Sequence, residues 1–365
     1  MALKQRSIKL QTLLKFSIFS LLLLVFSSAS TLSIAAALVD LSGGQTGRFE
    51  YKSITPPNRW EYARLNLQNT KQVTIFADLL MPKNIGTNKV PAVVLSHGSG
   101  GVESNMHDVW AKELTAAGFA VLIPDGYKPR GVSETNSNQD AVPYPAHVAD
   151  TMNSLMMLAT HPQIDKSNIF NIGFSRGGSA AFDTAWPTWQ RPVDTGGVKF
   201  AGHIAWYPGN CNLRYRTDDV EQATAPIFIL LADKDFEEAQ DVAVCRRWYD
   251  ELAAKGNKIT YKEYKGARHG FDGLNFNYRV NPRTSSGRKC DMEIFMTTTL
   301  GGGVGKNGFD FKQKKEINSF LDFNDSAKAC LENGTVPGSR GGGNAKEVQA
   351  GSVRDVLNFL QGLKQ

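Results

Sequence analysis

The feature that most constrains the fold is an alternation that begins near residue 72. Short runs, most of them apolar almost throughout, are separated by stretches with helical spacing. The runs lie at 72–80, 92–95, 119–123, 169–172, 200–206, 227–231 and 260–264. A strand with one wet face alternates apolar and polar residues, whereas a strand covered on both faces is apolar at nearly every position. Helical patterns fill the gaps at 108–117, 146–160, 176–185 and 238–254. In the first, Val109, Trp110, Leu114 and Ala117 share one side, and Gly118 follows as a stop. The pattern predicts an α/β fold with a mostly parallel central sheet and helices on both faces.

Within that alternation one segment carries a chemical signal. Gly173-Phe174-Ser175-Arg176-Gly177-Gly178 lies between the run at 169–172 and a helical stretch of small residues. A serine on a tight strand-to-helix turn, with glycines that let neighbouring elements close in, is the setting of a nucleophile elbow. The plain alternative is a glycine-rich turn with a solvated serine. A serine hydroxyl needs a base, and the base needs an orienting acid. On this kind of sheet they follow the serine in the order acid, then histidine. His269 stands in a loop just past the run ending at Tyr264, at the carboxyl end of a strand, where open α/β sheets bind ligands. His97, His107, His147, His161 and His203 all precede the candidate acid, and they read as core or surface residues. The acid is expected after the run at 227–231, in Leu231-Ala232-Asp233-Lys234-Asp235. Asp235 is favoured because the acid reaches from a few residues beyond its strand, with Asp233 as the alternative. The developing oxyanion needs backbone donors. Those expected are the N–H of Arg176 and the N–H of Ser99, in Ser96-His97-Gly98-Ser99-Gly100-Gly101.

With these residues assembled, the chain resembles the dienelactone hydrolase family of α/β-hydrolases. The resemblance runs from about residue 72 to 272 and resumes weakly near the C-terminus. It rests on His97-Gly98-Ser99-Gly100-Gly101, Pro129-Arg130-Gly131, the segment around Ser175, Tyr207-Pro208-Gly209, Ala232-Asp233-Lys234-Asp235, and Tyr264 through His269-Gly270-Phe271-Asp272. It implies the α/β-hydrolase fold, a small-molecule ester substrate and no metal or organic cofactor. Two departures bear on substrate. The founding enzymes carry cysteine where this chain has Ser175, and the acid beside their nucleophile has no counterpart near Gly98. A general carboxylic ester is therefore expected rather than a cyclic dienelactone. Arg130 either binds an acyl carboxylate in the cleft or serves as a structural salt bridge. Two other readings are a peptidase similar to the prolyl oligopeptidases and a catalytically silent binding protein. The first lacks a propeller-sized segment ahead of the hydrolase region, and a complete triad speaks against the second.

Residues 1–37 read as a targeting segment. Lys4, Arg6, Lys9 and Lys15 precede an uncharged run at 16–39 centred on four leucines, and Ser28-Ala29-Ser30 and Ala35-Ala36-Ala37 offer small-x-small cleavage sites. The alternative is an uncleaved anchor, since 24 uncharged residues are long enough to span a bilayer. Either way the remainder, read as one domain over 45–365, is exported, to the periplasm or beyond. A membrane is then touched only through an uncleaved segment. Those four basic residues account for most of the net charge of +6, and +2 remains without them. Such a balance gives no case for nucleic-acid binding.

Cys211, Cys245, Cys290 and Cys330 are an even set, which in an exported protein suggests disulfides; buried free thiols are the alternative. Cys211–Cys245 is the expected first pair, because it links elements that should be neighbours in the sheet. Cys290–Cys330 would close the stretch at about 273–343, which is rich in Gly, Asn, Ser and Lys. That stretch reads as an irregular surface excursion with one helix at about 315–331. It starts four residues after His269, so Phe271, Phe276 and Tyr278 are expected to wall the substrate pocket, with Arg279, Arg283 and Arg288 at its rim. A last helical pattern closes the chain, with Val353, Val356, Leu357, Phe359, Leu360 and Leu363 as its apolar positions.

Overall fold

Each apolar run becomes a strand of one sheet in the computed structural model, which describes residues 37–217, 220–235, 241–273, 285–294, 308–333 and 345–364. The strands in chain order are β1 (Gly47–Thr55), β2 (Lys71–Leu80), β3 (Val90–Ser96), β4 (Ala120–Asp125), β5 (Ile164–Phe174), β6 (Gly202–Trp206), the short β7 (Leu213–Tyr215), β8 (Ile227–Ala232) and β9 (Ile259–Tyr264). The helices are α1 (Arg59–Ala63), α2 (Lys112–Ala116, entered through a π-helical turn at Met106–Ala111), α3 (Tyr144–Thr160), α4 (Arg176–Asp183), α5 (Pro187–Gln190), α6 (Val242–Ala254), α7 (Phe320–Cys330) and α8 (Ala345–Leu363). Eight strands form the central sheet in the order β1-β2-β4-β3-β5-β6-β8-β9. The pairs β1/β2 and β2/β4 are antiparallel, and the rest are parallel. This order, with a serine turn after β5, is the α/β-hydrolase fold.

Two apolar layers hold the sheet between its helices. Successive strand residues point to opposite faces. Ala92 and Val94 of β3, Leu122 of β4 and Ile229 of β8 therefore pack on one side, with Met152 and Leu155 of α3 and Trp248 of α6. Val93 and Leu95, Val121 and Leu230 pack on the other, with Trp110, Leu114 of α2, and Val356 and Leu360 of α8. Both faces are dry at β3, β4 and β8, which is why those runs are apolar almost throughout, whereas β2 and β9 are wetter on one face and carry polar residues.

Two parts of the fold differ from the sequence expectation. Strand β1 was not anticipated. It buries only Phe49, Tyr51 and Ser53 on one face and carries Arg48, Glu50 and Lys52 on the other, so it lacks an apolar run. The second is the excursion. Its described residues include β10 (Ser285–Ser286), β11 (Met292–Ile294), β12 (Gly308–Asp310), β13 (Lys315–Ile317) and β14 (Glu332–Asn333). Strand β11 pairs in parallel with β7, and β13-β12-β11-β7 form a second sheet. Residues 315–317 are thus strand rather than helix, and α7 starts at Phe320 with Ser319 as its N-cap, accepting from the N–H of Asp322. Arg214 of β7 ties this sheet down through ion pairs to Asp291 (2.6 Å) and Glu293 (2.9 Å). Cys211 is bonded to Cys245 and Cys290 to Cys330, with Cα separations of 4.9 and 5.0 Å.

Candidate active site

The carboxyl ends of β3, β5, β6, β8 and β9 meet where the candidate residues lie. Strand β5 ends at Phe174, α4 begins at Arg176, and Ser175 alone makes the turn, with φ 54° and ψ −114°. A non-glycine residue at positive φ costs about 1–3 kcal/mol and persists only where its surroundings dictate it. Here the Ser175 N–H donates to the carbonyl of Trp206 on β6 (3.0 Å), and the Ser175 carbonyl accepts from the N–H of Ser179 (2.9 Å). The flanking glycines are required by space. A Cβ on Gly173 would strike the carbonyl of Gly177, and one on Gly177 would strike that of Ser96.

Two loops bring the other two groups to Ser175. The Nε2 of His269 lies 2.8 Å from the Ser175 Oγ. Its Nδ1 lies 3.0 and 3.2 Å from the two carboxylate oxygens of Asp235, which is fully buried. With Nδ1–H donating to the carboxylate, Nε2 is left as the acceptor facing the serine hydroxyl. The acid loop and the histidine loop are laced together by backbone bonds, Asp233 N–H to the Tyr264 carbonyl (3.3 Å) and Lys234 N–H to the Ala267 carbonyl (3.0 Å). Among the described residues one carboxylate oxygen of Asp233 is buried without a hydrogen-bond partner.

Sequence reasoning assigned no role to a pair of residues that support the histidine. The ring of Tyr207, held at φ 34°, packs 4.7 Å from the ring of His269. Its hydroxyl donates to the carboxylate of Asp272. That carboxylate is buried and also accepts from Asn105 Nδ2 (2.6 Å), just ahead of the π turn, and from Trp110 Nε1 (3.2 Å) within it. Both residues stood in motifs that carried the family resemblance; their meeting was visible only in three dimensions.

The glycine loop after β3 lies against the serine. A Cβ on Gly98 would sit 3.2 Å from the Phe174 carbonyl and 3.5 Å from the Ser175 Cβ. The Gly98 carbonyl accepts from the Nδ1–H of His97 (2.8 Å) and from the N–H of Gly101 (3.1 Å). In a planar trans peptide the N–H points opposite to the carbonyl, so these two bonds fix the direction of the Ser99 N–H. His97 accepts at Nε2 from the Gly126 N–H (3.2 Å), and burial holds its pKa below the ordinary imidazole value. It is thus a neutral, oriented side chain. Arg176 is the first residue of α4, and its N–H is one of the donors that a helix start leaves without an intrahelical acceptor.

Other candidates are used elsewhere. Arg130 is committed to the scaffold. Its guanidinium bonds Asp150 through both terminal nitrogens (2.7 and 2.9 Å), the Gly126 carbonyl (2.6 Å), the Ile54 carbonyl (2.9 Å) and the Thr55 hydroxyl (2.8 Å). That leaves no N–H for a substrate carboxylate and favours the structural alternative over the binding role. His203 is buried, and its pKa is pushed down to about 3 by desolvation. Phe271 packs into the core against Trp206 (5.0 Å), Tyr207 and Tyr264 rather than standing free as a wall. The Arg288 carbonyl accepts from Asn212 Nδ2 (3.1 Å). Phe276, Tyr278, Arg279 and Arg283 lie outside the described residues. Among the described residues no cluster of His, Cys, Asp and Glu is disposed to hold a metal ion.

Comparison with known proteins agrees with the resemblance. The family model of the dienelactone hydrolase family matches residues 75–281. An uncharacterised protein of Pseudomonas aeruginosa is 25% identical over 130 residues, 34% of this chain. The match spans 33%, about a third, of that protein's length. Among solved structures, the propionate-bound thermophilic esterase of Thermogutta terrifontis aligns at 16% identity and a TM-score of 0.45, over 56% of this chain and 82% of that one. The paraoxon-phosphorylated form of an esterase from the same organism aligns at 17% identity and a TM-score of 0.44, over 56% and 82%.

Proposed function

The chain belongs to the dienelactone hydrolase family, whose members are hydrolases acting on esters, and from that premise we propose that it cleaves carboxylic esters through an acyl-enzyme on Ser175. The observation that carries this reading is the continuous line Ser175 Oγ–His269 Nε2 (2.8 Å) and His269 Nδ1–Asp235 Oδ1 (3.0 Å). His269 takes the hydroxyl proton as the Ser175 Oγ attacks the acyl carbon. The carbonyl oxygen becomes an oxyanion and turns to the N–H groups of Ser99 and Arg176. The tetrahedral intermediate collapses, the alcohol leaves with the proton from His269, and the acyl group stays on Ser175. Water then attacks that acyl carbon, giving its proton to His269. Release of the acid restores the serine hydroxyl. Asp235 remains ionised throughout and holds the imidazole in the required tautomer.

Each residue's setting supports its part. The positive φ of Ser175 lifts its Oγ off the strand, toward the loops that carry His269 and Ser99. Burial of Asp235 keeps water from competing for the Nδ1–H. Hydrolysis of p-nitrophenyl esters, lactones and aminoacyl amides, each with Ser175→Ala as control, tests the reaction class. Ester turnover abolished by the substitution supports the proposal. Equal turnover by both proteins overturns it, and a preference for amides favours the peptidase reading.

The same reading places the enzyme outside the cytoplasm. Two disulfides fit an oxidising compartment. The basic-then-apolar segment at 1–37 would direct export, ahead of one hydrolase domain at 45–365. Among the described residues no helix is long and apolar enough to cross a membrane, and residues 1–36 of that segment lie outside them.

A further inference from the structure

The two proposed oxyanion donors belong to residues 77 positions apart, one on the loop after β3 and one at the start of α4. Main-chain pairing of β3 with β5 holds the two segments together as far as Ser96 and Gly173, three residues short of each donor. One side chain bridges them. Gln139, in a short 3-10 turn at Gln139–Ala141, accepts at Oε1 from the Arg176 Nη1 (2.8 Å) and donates from Nε2 to the Ser99 Oγ (3.1 Å). The guanidinium has only donors, so it dictates which end of the amide faces it, and the NH2 end is left for Ser99. The surrounding segment is fastened to the same two residues through the backbone. The Ser99 carbonyl accepts from the N–H of Thr135 (2.7 Å). Arg176 donates to the carbonyls of Gln139 (3.0 Å) and Val142 (2.5 Å). Residues 135–142 thus form a strap across both halves of the oxyanion pocket, and Gln139 is its cross-link.

We propose that Gln139 is a positioning residue of the oxyanion hole, setting the distance between the N–H groups of Ser99 and Arg176. This rests on the oxyanion reading given above. Among the described residues the side chain of Gln139 is hydrogen-bonded to Ser99 and Arg176, and it acts through these two partners. A donor pair displaced by a few tenths of an ångström still admits the flat ester. It serves the tetrahedral oxyanion less well, because donors aimed at developing charge lose most when misplaced. The signature is therefore a loss in kcat with KM nearly constant.

The test compares the unmodified protein with Gln139→Ala, Ser99→Ala, the double substitution and Gln139→Glu. Glutamate keeps an acceptor for both the guanidinium and the Ser99 hydroxyl. Readouts are kcat and KM on a p-nitrophenyl ester, affinity for a trifluoromethyl ketone, and melting temperature. The ketone forms a tetrahedral oxyanion adduct with a serine and reports on the hole without turnover. Gln139→Ala is expected to lower kcat about 10–100-fold, less than outright removal of a donor. Ketone affinity should fall by a similar factor, with KM within about threefold. Ser99→Ala should reproduce much of this, the double substitution should be little worse than either alone, and Gln139→Glu should recover most of the activity. Unchanged kcat and ketone affinity in Gln139→Ala, additive losses, or a loss that follows the folded fraction would overturn the inference. If Ser175→Ala is inactive while Gln139→Ala is normal, only this inference falls. If Ser175→Ala stays active, the proposed function falls first.

Discussion

The hydroxyl of Tyr207 donates to the carboxylate of Asp272, three residues beyond His269, while the Tyr207 ring packs 4.7 Å from the imidazole. One tyrosine thus joins the end of β6 to the loop that must hold the base. Tyr207→Phe keeps the ring and removes the donor from a buried carboxylate. Leaving such a group short of a partner costs about 1–3 kcal/mol. The expected outcome is a lower melting temperature with kcat reduced by less than about tenfold, whereas Tyr207→Ala, which also removes the ring, should lower kcat further. A Tyr207→Phe protein as stable as the unmodified one would show that the bond contributes nothing.

Asp235 and Asp233 differ by two positions and should differ greatly in consequence. Asp235 reaches the His269 Nδ1 with both carboxylate oxygens. Asp235→Asn keeps the shape but holds the wrong tautomer, and a loss in kcat on the order of 10³–10⁴ is expected. Asp233→Asn should stay within about tenfold. Steady-state kinetics of the two variants, side by side, settles which residue is the acid; the reverse ranking would transfer the role to Asp233.

Much of this was legible in the sequence, and the parts that were not share a cause. The elbow at Ser175 stood out because a doubly buried strand must be apolar and because glycines flank the serine, Gly173 crowded by the backbone of Gly177 and Gly177 by that of Ser96. His269 and Asp235 followed from their places after strands. Arg130 was ambiguous, since a sequence does not tell that Asp150, Gly126, Ile54 and Thr55 converge on one guanidinium. Gln139 left no local signal at all, because its partners lie 40 and 37 residues away. The excursion looked irregular because β11, β12 and β13 have three residues each, too few to display a period, and are held by β7 and Arg214 from outside the stretch.

Arg130→Ala should damage the fold rather than recognition. Both members of its pair with Asp150 are buried, and removing one partner of such a pair costs roughly 3–5 kcal/mol. Thermal melting should fall sharply. The ratio of kcat/KM for esters with and without an acyl carboxylate should be unchanged on the folded fraction. A selective loss for carboxylate-bearing esters would restore the binding role.

Asp183 of α4 sets a pH dependence of stability. It is buried, and desolvation raises its pKa from 3.8 to about 6, against the bonds it accepts from Tyr144 (2.6 Å) and Tyr215 (2.9 Å). The folded state therefore holds this proton more tightly than the unfolded chain. Its contribution is fully present below about pH 4 and is lost as pH rises through about 6. Relative to Asp183→Asn, which does not titrate, the unmodified protein should gain on the order of 1 kcal/mol in unfolding free energy between pH 7 and pH 5. Denaturant titrations at the two pH values measure this, and a constant difference between the proteins would contradict it.

The most direct measurement is covalent trapping of the serine. The protein is treated with a fluorophosphonate, digested, and the modified residue located by tandem mass spectrometry. One adduct is expected, on the Oγ of Ser175. Its formation should be slowed by orders of magnitude in His269→Ala, because the hydroxyl then has no base, and abolished in Ser175→Ala. No adduct on folded protein, an adduct on another residue, or labelling at an equal rate without His269 would contradict an acyl-enzyme on Ser175.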